Sequence, residues 1–234
     1  LNTTGTLNVA VGVDALAANT TADANVAVGR EALAANTTGT RNTVVGTSAG
    51  VTMSTADDNT AVGYVALKDN TAYRNVAVGS YALTENTGGA NNTAVGHNSL
   101  YTQTTGAQNV AVGTSAGYAI TDATYNTLVG YQAGVAITTG AIGGNAMSAL
   151  TTGTRNLAIG VQAYDDSDTE NDNIAIGYQA MTVNTAGGNA NLAIGNYAGD
   201  SISSGDKNVC LGHLAGSAVD TGNFNICVGE GAGA

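Results

Sequence analysis

Proline and tryptophan are absent from the 234-residue chain, and phenylalanine occurs once. A large interlocking core leans on bulky side chains. This chain must instead bring backbones close around small ones, since its hydrophobic residues are mostly Ala and Val and 33 positions are Gly. Cations are as scarce: six Lys and Arg stand against 17 Asp and Glu, a net charge of -11. Nucleic acid and anionic membrane surfaces both need clustered Lys and Arg, so the balance argues against either as a partner. It suits a soluble extracellular surface with colloidal repulsion. Long apolar runs are missing, so no membrane insertion is expected in this segment. Neither an initiator Met nor the basic and apolar regions of a signal peptide is present. Cysteine is limited to Cys210 and Cys227, one 17-residue period apart in slots that are usually Ala. The favoured reading is a small buried apolar substitute, with a disulfide within or between chains as the alternative. The spacing fits neither a CxxC nor a zinc site.

What the chain does have is a repeat. Asn-x-Ala-Val-Gly or a variant ends at 14 glycines from Gly12 to Gly229, and ten of the 13 spacings are 17 residues. Taking the Asn as position 0, that slot is Asn in 13 repeats. Position 3 is always Val, Ile or Leu, position 7 is Ala except at Ser99, and position 12 is Thr in nine repeats, among them Thr20, Thr37, Thr104 and Thr151. A one-residue loss (Thr71–Asn75), a one-residue gain (Thr185–Asn191) and a four-residue loss near Thr139–Ala141 all follow position 12. Length changes are tolerated where chain crosses a surface, so positions 13 to 16 read as an outer turn.

The β-favouring residues at positions 1 to 3 predict a short strand closed by the Gly of position 4. Alternation around the position-7 Ala predicts a second strand over positions 5 to 8. No helical stripe survives a whole repeat. Seventeen residues cannot bury a face alone, so neighbours must stack. The fold class expected is all-β: a parallel β-solenoid, one repeat per coil and 14 coils, rising ~4.8 Å per rung. The second Val of the motif is read as the core rank. The structural ladder then comprises Asn8, Asn25, Asn42 and Asn59, whose amides bond from rung to rung, and Gly12, Gly29, Gly46 and Gly63, where backbones approach closely. One Val-sized side chain per rung leaves a thin margin against backbone ordering, so a second small-residue face is expected to pack on other chains. Positions 2 and 3 offer such opposed faces. The chain opens at position 10 and closes at position 9 of the repeat. It reads as a single domain, residues 1–234, with neither end capped, and so as a segment of a longer fibre protein.

Asn-Val-Ala-Val-Gly (Asn8–Gly12) and Asn-Ile-Ala-Ile-Gly (Asn173–Gly177) resemble the Ser-Val-Ala-Ile-Gly core of YadA-like head repeats in trimeric autotransporter adhesins. Asn-Thr-Leu-Val-Gly-Tyr-Gln-Ala-Gly (Asn126–Gly134) resembles repeats of phage and environmental tail-fibre proteins. The resemblance implies a left-handed β-roll, a homotrimer, intertwined or side by side, and a place in an extracellular fibre on a virion or bacterial surface. It also implies attachment to a host-surface glycan or protein receptor. The repeat here is longer than the adhesin head repeat, and no coiled-coil stalk, neck, anchor or chaperone domain lies within it.

Chemistry has few candidates. The acidic stretch Asp165–Asn173 offers Asp166, Asp168, Glu170 and Asp172 as a weak calcium set, since alternate carboxylates suit a hard cation. It lacks the EF-hand glycine and closing Glu, and a solvated acidic turn is the favoured reading. His97 and His213 share position 5 far apart in the stack, and isolated histidines read as solvent-exposed. Tyr64, Tyr131 and Tyr178 share position 5; Tyr81 and Tyr197 share position 6. They either cover the small-residue wall, which is favoured, or stack on sugars. No catalytic constellation, carboxylate pair or phosphate loop is present, so no enzyme activity and no cofactor are expected. The function expected is a structural or adhesive segment of a trimeric extracellular fibre. The alternative is an ice-binding solenoid using the Thr ladder, weakened because its Thr-Thr pairs are adjacent and Asp168 and Asp220 interrupt the rank. A depolymerase is a distant third.

Overall fold

The computed structural model of the protein describes residues 2–135, 141–150, 152–183 and 187–234. The chain falls into two compact units, residues 1–125 and 126–234. The first holds β1 (Val9–Val11), β2 (Val26–Val28), β3 (Thr43–Val45), β4 (Thr60–Val62), β5 (Val76–Val78), β6 (Thr93–Val95) and β7 (Val110–Val112). Each strand pairs in parallel with the next, so that Val9, Ala10 and Val11 face Val26, Ala27 and Val28, and the same register repeats through β7. The second unit holds β8 (Thr127–Val129), β9 (Ala141–Ile142), β10 (Leu157–Ile159), β11 (Ile174–Ile176), β12 (Leu192–Ile194), β13 (Val209–Leu211) and β14 (Ile226–Val228), paired in the same manner. Each unit is an all-β parallel β-solenoid in which strand partners lie one repeat apart.

Two expectations about the coil need correction. The first concerns which strand face is inside. From β2 onward, wherever burial is described for all three residues, the middle one is buried and its flanks are not. Position 2 therefore lines the core, through Ala27, Val44, Ala61, Leu128 and Cys210, each fully buried. Position 3, read from its larger side chain as the core rank, faces outward instead: Val62 and Val112 are each 37% exposed. A coil this narrow has room for Ala beneath the strand; the β-branched residues sit on the outer face, where their bulk meets no wall.

The second concerns positions 5 to 8, which form turns and not a strand. Positions 6 and 8 both take left-handed φ values: Asp14 58° and Leu16 52°, Glu31 60° and Leu33 53°, Tyr81 59° and Leu83 50°. A residue of L-configuration enters that region at a cost of order 1 kcal/mol, yet the cost recurs coil after coil because the stacking hydrogen bonds hold it. Alternate N–H groups reach the neighbouring coil. Leu16 N–H donates to the Ala32 carbonyl at 3.1 Å, Ala18 N–H to Ala34 at 2.9 Å, and, in the other direction, Glu31 N–H to Val13 at 2.8 Å. A turn with two left-handed residues separated by one buried Ala has the same period of two as a strand.

The core has four main ranks: position 2, the small Ala of position 7, position 8 and position 11. In the first unit the last two compensate in volume. Leu16, Leu33, Leu67 and Leu83 at position 8 stand with Asn19, Asn36, Asn70 and Asn86 at position 11, whereas Gly50 and Gly117 stand with Met53 and Ile120. A Cβ on Gly50 would lie 2.8 Å from Met53 Sδ. The second unit repeats the exchange at Gly199 with Ile202, where the distance is 2.9 Å, and inverts it at Tyr164 with Ser167. Met147 with Leu150 departs from the rule.

Positions 13 to 16 are not wholly outward either. Position 14 is buried at Ala22, Gly39, Ala56 and Ala72, beneath the turn. The one-residue loss leaves its contacts intact, as Asn59 Nδ2 still donates to Ala72 O at 3.0 Å. The four-residue loss near Thr139–Ala141, Thr151, and Thr185 in the one-residue gain lie largely outside the described residues.

Candidate functional site

The position-0 asparagines are buried from Asn25 to Asn208 and make two kinds of bond. Their Nδ2 closes the same coil: Asn8 donates to Ala22 O at 2.7 Å, Asn25 to Gly39 O at 2.8 Å and Asn42 to Ala56 O at 2.7 Å. Their Oδ1 serves the next coil, accepting the backbone N–H of the following Asn. Asn25, Asn42 and Asn59 donate in this way to Asn8, Asn25 and Asn42 at 2.9, 3.0 and 2.9 Å. Direct amide-to-amide bonds are fewer and longer, 3.1 Å for Asn42 to Asn25 and 3.2 Å for Asn59 to Asn42. The position-4 glycines sit where stacked backbones touch. A Cβ on Gly12 would lie 2.5 Å from Gly29 O, and one on Gly29 2.6 Å from Gly46 O, at φ values of 132° and 135°. Gly46 and Gly63 repeat the geometry.

Position 11 carries a second, shorter asparagine run that repeat-counting passed over because its residue type changes. Asn19 donates to Asn2 at 3.1 Å and Asn36 to Asn19 at 3.4 Å. Met53 then occupies the slot, and Asn36 Oδ1 is left buried without a donor. The run resumes between Asn86 and Asn70 at 2.6 Å.

The acidic stretch is not a single solvated turn. Glu170 occupies position 14, where other coils carry Gly or Ala, and is 2% exposed. Its carboxylate accepts the N–H groups of Asp168 and Thr169 at 2.8 and 2.9 Å and of Gly187 at 3.1 Å. Asp172 is held by Arg155 through Nε at 2.5 Å and Nη2 at 2.7 Å, and the guanidinium pulls its carboxyl below the usual range. Asp166 and Asp168 are exposed. The Glu170 and Asp172 carboxylates are thus engaged by different partners. Among the described residues no three His, Cys, Asp or Glu side chains are placed to hold a metal ion.

Both histidines are exposed, as expected, but each also packs against a tyrosine. His97 packs edge-on against Tyr81, ring centroids 6.1 Å apart, and Tyr81 edge-on against Tyr64 at 5.3 Å. His213, Tyr197 and Tyr178 form the same arrangement at 6.2 and 5.3 Å. The two sets stand seven coils apart. The same interval separates the bidentate pairs Arg41–Asp58 and Arg155–Asp172 and the identical hexapeptides Thr37–Asn42 and Thr151–Asn156. It also separates the 16-residue and 18-residue coils. Counting the sequence in blocks of seven repeats would have found this; counting single repeats hid it. Tyr81 and Tyr197 are pushed up in pKa by burial, with Tyr64 and Tyr178 reinforcing the shift, so their hydroxyls stay protonated at neutral pH.

In the first unit the aromatic set extends further. Tyr101 lies 6.2 Å from Tyr81 and stacks on Tyr118 at 5.4 Å with rings 7° from parallel. Tyr81, His97, Asn98, Tyr101 and Tyr118 line an open cleft of about 280 Å³. In the second unit the corresponding position-9 residues are Asp200, Ser217 and Ala234, so no such wall forms.

Cys210 and Cys227 face one another on β13 and β14, both buried and both free. Burial, then the neighbouring thiol, pushes Cys210 up to about 11, so it is an unreactive thiol at neutral pH. Gly216 and Gly233 at position 8 make room for the two sulfurs.

Among the described residues no helix is long and apolar enough to cross a membrane. Compared with protein-family models, curated proteins and solved structures, the chain matches none.

Proposed function

We propose that this chain is a structural and adhesive segment of an extracellular fibre, assembled from identical chains as a trimer and used for attachment at a virion or bacterial surface. The observation that carries the reading is the outer face of the strands. Positions 1 and 3 present a column of β-branched residues, including Val45, Val62, Val78 and Val112 in the first unit and Val129, Ile174 and Ile194 in the second, each more than a third exposed. A sustained apolar face of this kind marks an interaction surface. Its spacing is that of the coil itself, so the surface that matches it row for row is another copy of the chain. The Asn and Gly ranks serve as the frame that holds this face in register. A trimer, intertwined or side by side, and a left-handed coil are what the resemblance to adhesin heads implies.

The framework is non-catalytic in this reading. The threonine rank does not favour ice binding: the hydroxyls of Thr37 and Thr104 donate to carbonyls of the next coil and are not free to order water.

Sedimentation equilibrium tests the proposal. The expected species is a trimer, and Val28→Lys with Val62→Lys and Val95→Lys should yield folded monomer with an unchanged far-ultraviolet spectrum. A wild-type chain that stays a stable monomer at micromolar concentration would refute it.

A further inference from the structure

We infer that the cleft lined by Tyr81, His97, Asn98, Tyr101 and Tyr118 binds a neutral saccharide. The inference deepens the attachment half of the proposed function and rests on it, but is read out independently of assembly.

The five residues occupy positions 5, 6 and 9, on the outside of the turn, so none of them is part of the core ranks. Four are aromatic rings. Tyr101 and Tyr118 lie nearly parallel, and Tyr81 meets both Tyr101 and His97 at steep angles. Such an arrangement presents an aromatic floor with an upright edge. A pyranose ring offers one face of C–H groups and a rim of hydroxyls. The first fits an aromatic face and the second needs donors and acceptors close by. The rim here supplies both, through the Asn98 amide and the His97 imidazole. The volume, about 280 Å³, sits just under the usual ~300 Å³ lower bound for ligand clefts, enough for one or two sugar rings and not for a folded partner.

Charge selects among saccharides. No Lys, Arg, Asp or Glu lines the cleft, and the chain carries a net charge of -11. A carboxylated or phosphorylated sugar would approach a repelling field without a cation to receive it. A neutral sugar has no such barrier.

The second unit provides an internal control. It keeps Tyr178, Tyr197 and His213 in the same geometry but has no counterpart of Tyr101 and Tyr118. One site per chain is therefore expected, in the first unit.

The test is saturation-transfer NMR on the intact protein with glucose, galactose, mannose, N-acetylglucosamine and lactose, and with sialyllactose as the anionic probe. At least one neutral sugar should show transfer with millimolar or tighter affinity and a stoichiometry of one per chain. Tyr118→Ala and Tyr101→Ala should each weaken it at least tenfold, while Tyr178→Ala leaves it unchanged. Thermal melts establish that the variants are folded, and Tyr118→Phe, which keeps the ring, should bind as wild type does. Four results would each overturn the inference: no transfer from any neutral sugar, binding by sialyllactose alone, binding insensitive to both alanine variants, or loss of self-association in Tyr118→Ala, which would make the cleft a contact between copies. Assembly measured by sedimentation on the same samples separates failure of this site from failure of the fibre reading.

Discussion

Asp200 shows what a single residue contributes against the repeat. Its Oδ1 is buried without a partner, and burial raises its pKa above the ordinary 3.8 despite bonds from Ser201. A carboxyl whose folded pKa is raised contributes stability below its unfolded pKa and loses it as pH rises through the folded value. Asp200→Asn should therefore raise the melting temperature at pH 7, with the difference shrinking as pH falls below about 4. A difference independent of pH would show that the charge is not the cause. Neither this strain nor the orphaned Asn36 Oδ1 was legible in the sequence, because both depend on what stands one coil away. By contrast the Asn of position 0 was legible as a framework residue from recurrence alone. What recurrence could not say is that its two amide atoms have different tasks, one closing the coil and one joining the next.

Within the coil, positions 8 and 11 behave as one unit of volume. Leu83 with Asn86 and Gly117 with Ile120 are two solutions of the same space. Leu83→Gly alone should cost ~2–5 kcal/mol through the cavity, less what glycine recovers by relieving the left-handed φ of 50°. Asn86→Ile alone overpacks the coil, deprives the Gly89 N–H of its acceptor at 2.9 Å and removes one of the two donors to the Gly89 carbonyl, leaving Asn75 Nδ2 at 3.0 Å. The double variant should recover part of the loss, with a coupling of at least ~1 kcal/mol in urea unfolding; strict additivity would contradict the compensation. The strand at positions 1 to 3 was readable from β-branched residues, and so was the parallel stacking. Its inside face was not, because a period of two distinguishes two faces without saying which is buried, and the bulkier Val suggested the wrong one. The turn at positions 5 to 8 was misread for the same reason. Left-handed φ at Leu33 or Leu83 leaves no mark on a residue type that ordinarily avoids it.

At the scale of the whole molecule, the recurring surface pairs set the response to pH. The Arg41 and Arg155 guanidinium groups lower Asp58 and Asp172, and the Thr6 N–H and hydroxyl lower Asp23. Depressed carboxyls contribute stability above their unfolded pKa and lose it as pH falls through the folded one. The raised Tyr81 and Tyr197 phenols contribute below their unfolded value of 10.0 and lose it at higher pH. Melting temperature should be level near neutrality, fall below about pH 4 and fall again above about pH 10. Asp200 opposes the acid limb, so Asp200→Asn should steepen it. Differential scanning calorimetry across this range checks both limbs, and a stability maximum near pH 4 would contradict the assignment. The solenoid class was legible from 14 returns of one motif. The seven-coil doubling that carries the aromatic sets was equally present in the letters, but it appears only when the departures from the motif are compared and the motif itself is ignored.

The asparagine bonds run one way. Among the described position-0 bonds, Oδ1 accepts from the coil that follows and never from the one before, so within either unit the column has a direction. A cut between two coils leaves the asparagine carbonyl acceptors on one fresh surface and their backbone N–H donors on the other, while the strand and turn ladders leave both kinds of group on each. Along the asparagine column two such surfaces of the same kind repel each other's hydrogen-bonding pattern, whereas unlike ones fit. Rejoining head to tail, a heterologous contact that does not close on itself, restores this column, so one amide oxygen per coil adds to the preference for that orientation.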